Sequence, residues 1–468
     1  MPISPQEIGN VLLFCSILAV GGTLLSKWLQ IPKVVFFLTS GLVFTAGMLT
    51  TVPSSPLFFG LGDGAAYLNE AEEFVALWAG GGKVGWTQGW PSKQLWPLII
   101  GALATIGFGS ATHLVLLNSS FVGLSALLIT KAANLIHGGG TSPLLPTVLL
   151  VSSPSILIWG GSLYRESFFW AGISCLVVGI AQLAKLRVGL FIGWTFAGTA
   201  VTILFRPEFG LLVSYWSVVA GIAVAIAHWG ALQRGSKLAV SITAGVSLIM
   251  FPWLYRLTTY NRASLEDVSG RVATTRRYLS REGVNSAFGK PSDAINAPET
   301  GQAIFDFLAS AVTAFAGPPP WSIDSTFSLS SLWFLGTLHW LLLLALALLS
   351  LRRRSQDVSG PLALGLMSMA AFVMLIVSVT LTNYGIVARL RVPAELMLIP
   401  LAHSFLAGPR LGSQSPFGSA HTGDPTLATA PLRQTNFGTF LPHVRRRSTG
   451  LGERGRNPLG RSIFRKSL

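Results

Sequence analysis

The chain has 468 residues, of which 51% are hydrophobic and only 11% charged, with a mean hydropathy of +0.59. Those values exclude a soluble globular enzyme and point to a polytopic all-α membrane protein, whose backbone polar groups must be satisfied inside helices. The formal net charge of +15 is not spread evenly, since ten basic and two acidic residues fall in the Pro-, Gly- and Ser-rich segment 408–468.

The first apolar run follows Met1 to Asn10 without a basic flank or a small-residue cleavage site, so it reads as a retained span. Apolar runs then predict spans near 10–28, 34–51, 110–136, 144–161, 165–184, 188–205, 208–229, 237–257, 329–351, 361–381 and 386–406, eleven in all. The stretch 95–108 is apolar but short and contains Pro97, Gly101 and Gly107; it reads as a helix on or dipping into the outer interface. Residues 1–407 thus form one transmembrane domain, and 408–468 a disordered basic cytoplasmic tail near anionic lipid. Nucleic acid is not an expected partner, because no aromatic or fold context supports it.

The loops between spans alternate in character. Lys27 with Lys33, Lys131, Lys185 with Arg187, Arg234 with Lys237, and Arg352 to Arg354 mark one side. That side is cytoplasmic by the positive-inside rule, which puts the N-terminus outside and the C-terminus inside. The opposite, outer face carries two long segments, 51–96 and 258–328. In the first, the 65–78 stretch predicts an interfacial helix with Glu70, Glu72 and Glu73 on its polar side, and Trp78, Trp86, Trp90 and Trp96 suit an aromatic belt.

Chemistry-bearing residues gather on that outer face. Asp63, in Gly62-Asp63-Gly64-Ala65-Ala66-Tyr67, stands where a helix N-cap would stand. It is either that cap or a general base at the membrane surface. Tyr164-Arg165-Glu166 lies between two spans, as a local ion pair or as part of a site. Arg206-Pro207-Glu208 interrupts an otherwise apolar stretch, and its guanidinium suits a phosphate. Arg389 and Arg391 lie just inside the last span, after Asn383-Tyr384 and before Pro393 and Glu395. They either snorkel to the interface or hold a partner or ligand. His113, within an apolar span, reads as a packed histidine, and the seven histidines show no metal-ligand spacing. No cofactor is expected, and a divalent-metal requirement is left open.

These residues carry a resemblance. The Gly62-to-Tyr67 segment resembles the acidic motif of GT-C fold membrane glycosyltransferases, a group that includes protein O-mannosyltransferases and bacterial lipid A aminoarabinose transferases. Leu163-Tyr164-Arg165-Glu166-Ser167 is similar to an arginine/acid junction of bacterial members. Gly317-Pro318-Pro319-Pro320-Trp321 resembles a proline–tryptophan segment of exopolysaccharide-associated members, and Asn383-Tyr384-Gly385 through Arg389-Leu390-Arg391-Val392-Pro393 their last-span motif. One Asp stands where the mannosyltransferases show an adjacent acidic pair, and an extra span comes first.

The resemblance implies a GT-C-like bundle in the plasma (inner) membrane, with its site on the outer, periplasmic face. It implies inverting sugar transfer from a polyprenyl-phosphate-linked donor to a glycan, lipid or protein acceptor, in envelope or exopolysaccharide assembly. Asp63 would be the base, and Arg165, Arg206, Arg389 and Arg391 the phosphate contacts. Tyr67, Glu166, Glu208, Trp321, Asn383 and Tyr384 would support them. The competing readings are a flippase or transporter, a polymerase or ligase of the same pathway, and a non-catalytic assembly partner.

Overall fold

The computed structural model describes residues 5–51, 63–81, 92–137, 142–258, 311–312, 315–317, 329–353, 359–380 and 384–407. Within them the chain is helical, with no strand among the described residues. The helices are α1 (Pro5–Leu29), α2 (Lys33–Thr51), α3 (Asp63–Ala79), α4 (Ser92–Thr105), α5 (Ala111–His137), α6 (Leu144–Val151) and α7 (Pro154–Gly160). They continue as α8 (Glu166–Gln182), α9 (Val188–Phe205), α10 (Pro207–Ala227), α11 (Arg234–Thr258), α12 (Leu329–Arg353), α13 (Ser359–Thr380) and α14 (Tyr384–Leu406). Among the described residues eight helices are long and apolar enough to cross a membrane: α1, α2, α5, α8, α9, α10, α12 and α13.

The expected single span 144–161 is instead two short helices, α6 and α7, and the reason is local. Pro154 offers no N–H to the preceding turn, and its ring pushes Ser153 out of the helical region. Ser153 accordingly has φ −75° and ψ 114°, an extended conformation. The break leaves α7 as a separate piece that packs on α2, α8, α12 and α14.

α4 has 14 residues, about 21 Å of helix, against the ~30 Å of a hydrocarbon core. It pairs with α3 and also leans on α9. Glu70, Glu72 and Glu73 of α3 are exposed, and Ala71 on the opposite side is buried. Trp96 does not join a surface belt: it is fully buried, and its indole N–H donates to the Leu163 carbonyl at 2.9 Å. A buried indole must find such an acceptor. Trp86 and Trp90 lie outside the described residues.

α8 is the central helix, buried along almost its whole length. Small residues let its neighbours approach: a Cβ on Gly172 would meet the Thr202 backbone of α9, and one on Gly198 would meet the Gly172 carbonyl. A second close approach joins α2 to the α7–α8 junction, where Gly47 and Gly161 touch backbone to backbone and neither has room for a side chain. By contrast α1 turns Leu12, Leu13, Ile17, Val20, Leu24 and Trp28 outward, as a helix bordering lipid does. His113 is packed, held by Ser110 and flanked by the Phe14 and Phe108 rings.

Candidate functional site

The junction between α7 and α8, residues 161–165, is irregular but tightly held. Asn118 of α5 donates from Nδ2 to the Ser162 carbonyl and accepts from Ser167 Oγ at 2.6 Å. Trp96 of α4 holds the Leu163 carbonyl. The start of α3 lies against the same point: a Cβ on Gly64 would come within 2.9 Å of Leu163 Cβ. The helix that begins at Asp63 therefore starts beside Leu163-Tyr164-Arg165-Glu166. The side chain of Asp63 lies outside the described residues.

Glu166, the first residue of α8, is the centre of the site. It is 1% exposed, and it accepts from Arg206 Nη2 through Oε1. Arg389 Nη1 lies 3.7 Å from the same oxygen. Arg165 is the neighbouring residue in the chain and acts on the same carboxylate through space. Glu166 Oε2 has no hydrogen-bond partner among the described residues. Arg206 and Arg389 are not sealed in: their side chains are 24% and 12% exposed.

The local sequence explains how these cations arrive. Arg206 caps the end of α9 and the start of α10, and Pro207 at the first helical position pre-sets the turn. Arg389 lies in the second turn of α14. Pro393, four residues later, leaves the Arg389 carbonyl without its helical partner and loosens the backbone there. Two guanidinium groups, one from the α9–α10 junction and one from the second turn of α14, thus meet one carboxylate, and a third, Arg165, is its neighbour in the chain. Such a cluster can take up a further anion, and guanidinium edges match phosphate oxygens.

Arg391 goes elsewhere. Two residues on from Arg389, it points to another face of α14, where it is 1% exposed. Its Nε lies 3.7 Å from Glu395 Oε1, one helical turn away, and its Nη1 donates to Thr337 Oγ1 at 3.0 Å. It does not snorkel. Glu395 is 0% exposed and accepts from Ser153 Oγ at 2.7 Å. His339 Nδ1 lies 3.6 Å from the same carboxylate, while its Nε2 donates to the Leu149 carbonyl at 2.8 Å. Glu395 is eleven residues into α14, roughly 16 Å from its start. Gly317, first residue of the Gly-Pro-Pro-Pro-Trp segment, packs on Thr337 with φ +65°, a conformation and a contact that only glycine tolerates.

No family model, curated protein or solved structure matches the chain. The site's meaning therefore rests on its own chemistry. Among the described residues no group of three or more His, Cys, Asp or Glu side chains gathers as a metal-ligand set would.

Of the sequence-predicted residues, Arg165, Glu166, Arg206 and Arg389 come together, and the start of α3 adjoins them. Tyr67 packs half-buried against the core. The side chains of Glu208 and Tyr384 lie outside the described residues, as do Trp321 and Asn383 entirely. Four participants were not foreseen as a group: Ser153, Thr337, His339 and Glu395. The spacing of Glu395 four residues after Arg391 on an apolar helix was a readable signal of an ion pair. Nothing in the sequence links either residue to Ser153 or His339.

Proposed function

We propose that this protein transfers a sugar from a polyprenyl-phosphate-linked donor at the outer membrane surface. The observation that supports it is the arginine surplus around Glu166: the partly open guanidinium groups of Arg206 and Arg389 converge on one carboxylate, with Arg165 next to it in the chain. Fixed cations cost free energy at a membrane boundary unless they meet anions, and a lipid phosphate reaches that depth. The resemblance to GT-C fold glycosyltransferases agrees with this reading.

On this reading Asp63 takes the proton of an acceptor hydroxyl. The acceptor oxygen bonds to the anomeric carbon, and the bond from that carbon to the phosphate oxygen breaks. The electron pair leaves with the phosphate, whose growing charge Arg165, Arg206 and Arg389 stabilise. The topology has eleven crossings: the eight long apolar helices, the composite α6–α7, and α11 and α14. The membrane is the plasma (inner) membrane, the α3–α4 pair lies on the outer face and the C-terminus in the cytoplasm. Among possible glycan, lipid or protein acceptors, the site chemistry asks only for a nucleophilic hydroxyl or amine.

The test is binding of a polyprenyl-phosphate sugar to purified protein. Arg206→Lys and Arg389→Lys keep the charge but lose the fork, and each should weaken binding about tenfold. Unchanged affinity in both variants would remove the arginines from the site. Sidedness is checked separately, with Cys15 and Cys175 replaced by Ser. A cysteine at position 92 should react with an impermeant reagent in intact cells, and one at position 355 should not; the reverse would invert the topology.

A second reading, a transporter or flippase, draws on the broken α6–α7 helix and on buried ionisable residues from two further helices. It predicts substrate movement into proteoliposomes that is lost in Glu395→Gln.

A further inference from the structure

Arg389 does not face Glu166 alone. Its Cζ lies 5.0 Å from the centroid of the Trp159 ring and 4.9 Å from that of the Tyr164 ring. The two rings are 5.4 Å apart and nearly perpendicular, at 77°. The three centres form an almost equilateral triangle. Rings on opposite faces of the guanidinium would be separated by about twice the cation-to-ring distance, so this is a corner and not a sandwich. Both rings back Arg389 from one side, and Glu166 lies 3.7 Å from its Nη1.

The corner has a fixed origin. Trp159 lies in the last turn of α7, and Tyr164 belongs to the junction stapled by Asn118 and Trp96. α7 and α14 are also pinned deeper in the bundle, where Ser153 bonds Glu395. Trp159 lies six residues after Ser153, and Arg389 six residues before Glu395. The two helices therefore run antiparallel with one pin at each end: a hydroxyl on a carboxylate in the interior, and an aromatic ring on a guanidinium near the surface.

We propose that Trp159 and Tyr164 are positioning residues for lipid-phosphate recognition, holding the Arg389 guanidinium so that its N–H edge faces the anion site it shares with Arg206. The proposal rests on the reading of that cluster as a donor-phosphate site. An arginine side chain has four rotatable bonds above its planar head, and ordering it at the moment of binding weakens affinity. Ring faces attract the cation and exclude alternative rotamers before the ligand arrives. A bulky aliphatic side chain would fill the same space without that attraction.

The probe is a polyprenyl monophosphate, titrated against purified protein in nanodiscs, with detergent melting as the folding control. Trp159→Leu and Tyr164→Leu should each weaken binding about 3- to 10-fold. Trp159→Phe and Tyr164→Phe keep a ring face and should stay within about twofold of the parent. In an Arg389→Gln background, Trp159→Leu should cause no further loss, because the side chain it positions is gone. A general packing role predicts instead equal losses in both backgrounds and no rescue by Phe, and that result would overturn the proposal. The two levels separate cleanly. If Arg206→Lys and Arg389→Gln bind the probe like the parent, the phosphate-site reading fails; if they weaken it while Trp159→Leu does not, only the positioning role fails.

Discussion

Two charged clusters lie along α14, marked by Arg389 and by Glu395 six residues later, and they behave differently. The one around Glu166 has more cations than anions, and its arginines reach the surface. The one around Glu395 is closed: Arg391, Ser153 and His339 surround a carboxylate with no exposed area, and Arg391 Nη1 donates to Thr337. The same residue types thus serve opposite ends. Where positive charge exceeds negative and water has access, a ligand can complete the balance. Where opposite charges are buried together inside the bundle, the cluster locks helix to helix. α7 and α14 meet at both clusters, Ser153 on Glu395 in one and Trp159 on Arg389 in the other.

The largest expected effect separates the two clusters by stability. Glu395→Ala leaves Arg391 buried without its counter-charge and should cost about 3–5 kcal/mol, read as a lowered melting temperature in detergent. The double replacement Glu395→Leu with Arg391→Met removes both charges and should recover most of that loss. A single variant as stable as the parent would show that the inner cluster locks nothing.

Next in size is Asp63→Asn. Asn caps a helix as well as Asp does, so folding should be unchanged. Product formed from a lipid-linked donor should fall on the order of a hundredfold or more, the scale of losing a general base. Full activity would leave Asp63 as a cap and would sink the transfer mechanism at its centre.

Glu166→Gln probes the open cluster in the same way as Glu395→Ala probes the closed one. Arg206 and Arg389 have partial access to water, so the cost should be only about 1–2 kcal/mol. A loss as large as that of Glu395→Ala would mean that the two clusters do not differ in kind.

The smallest effect is the sharpest contrast. Arg391→Lys should lower the melting temperature and leave donor affinity unchanged, whereas Arg206→Lys should do the reverse. Weakened donor binding in Arg391→Lys would return Arg391 to the phosphate site.

The helices were legible because a chain in lipid has few choices. Runs such as 188–205 and 361–381 must close their hydrogen bonds internally, so apolar length alone predicts α9 and α13 closely. The broken span was legible in principle from Ser153-Pro154, since the residue before a proline resists the helical conformation. The grouping of Arg165, Glu166, Arg206 and Arg389 was legible in part, because alternating loops put their junctions at one end of the bundle.

Which charges meet was not legible. Arg206 reaches Glu166 across 40 residues of chain, and Ser153 reaches Glu395 across 242. Arg389 and Arg391, two residues apart, look equivalent in sequence and part company in space. By itself the sequence determined an all-helical, membrane-embedded chain with its polar residues at a few helix ends, because hydropathy and backbone satisfaction are local properties. Helix packing alone decided that Glu166 gathers the phosphate-suited arginines and that Glu395 anchors Arg391. A side chain's partner depends on the rotation and register of two helices, and those are set by close contacts such as Gly47 on Gly161 that no single stretch of sequence contains.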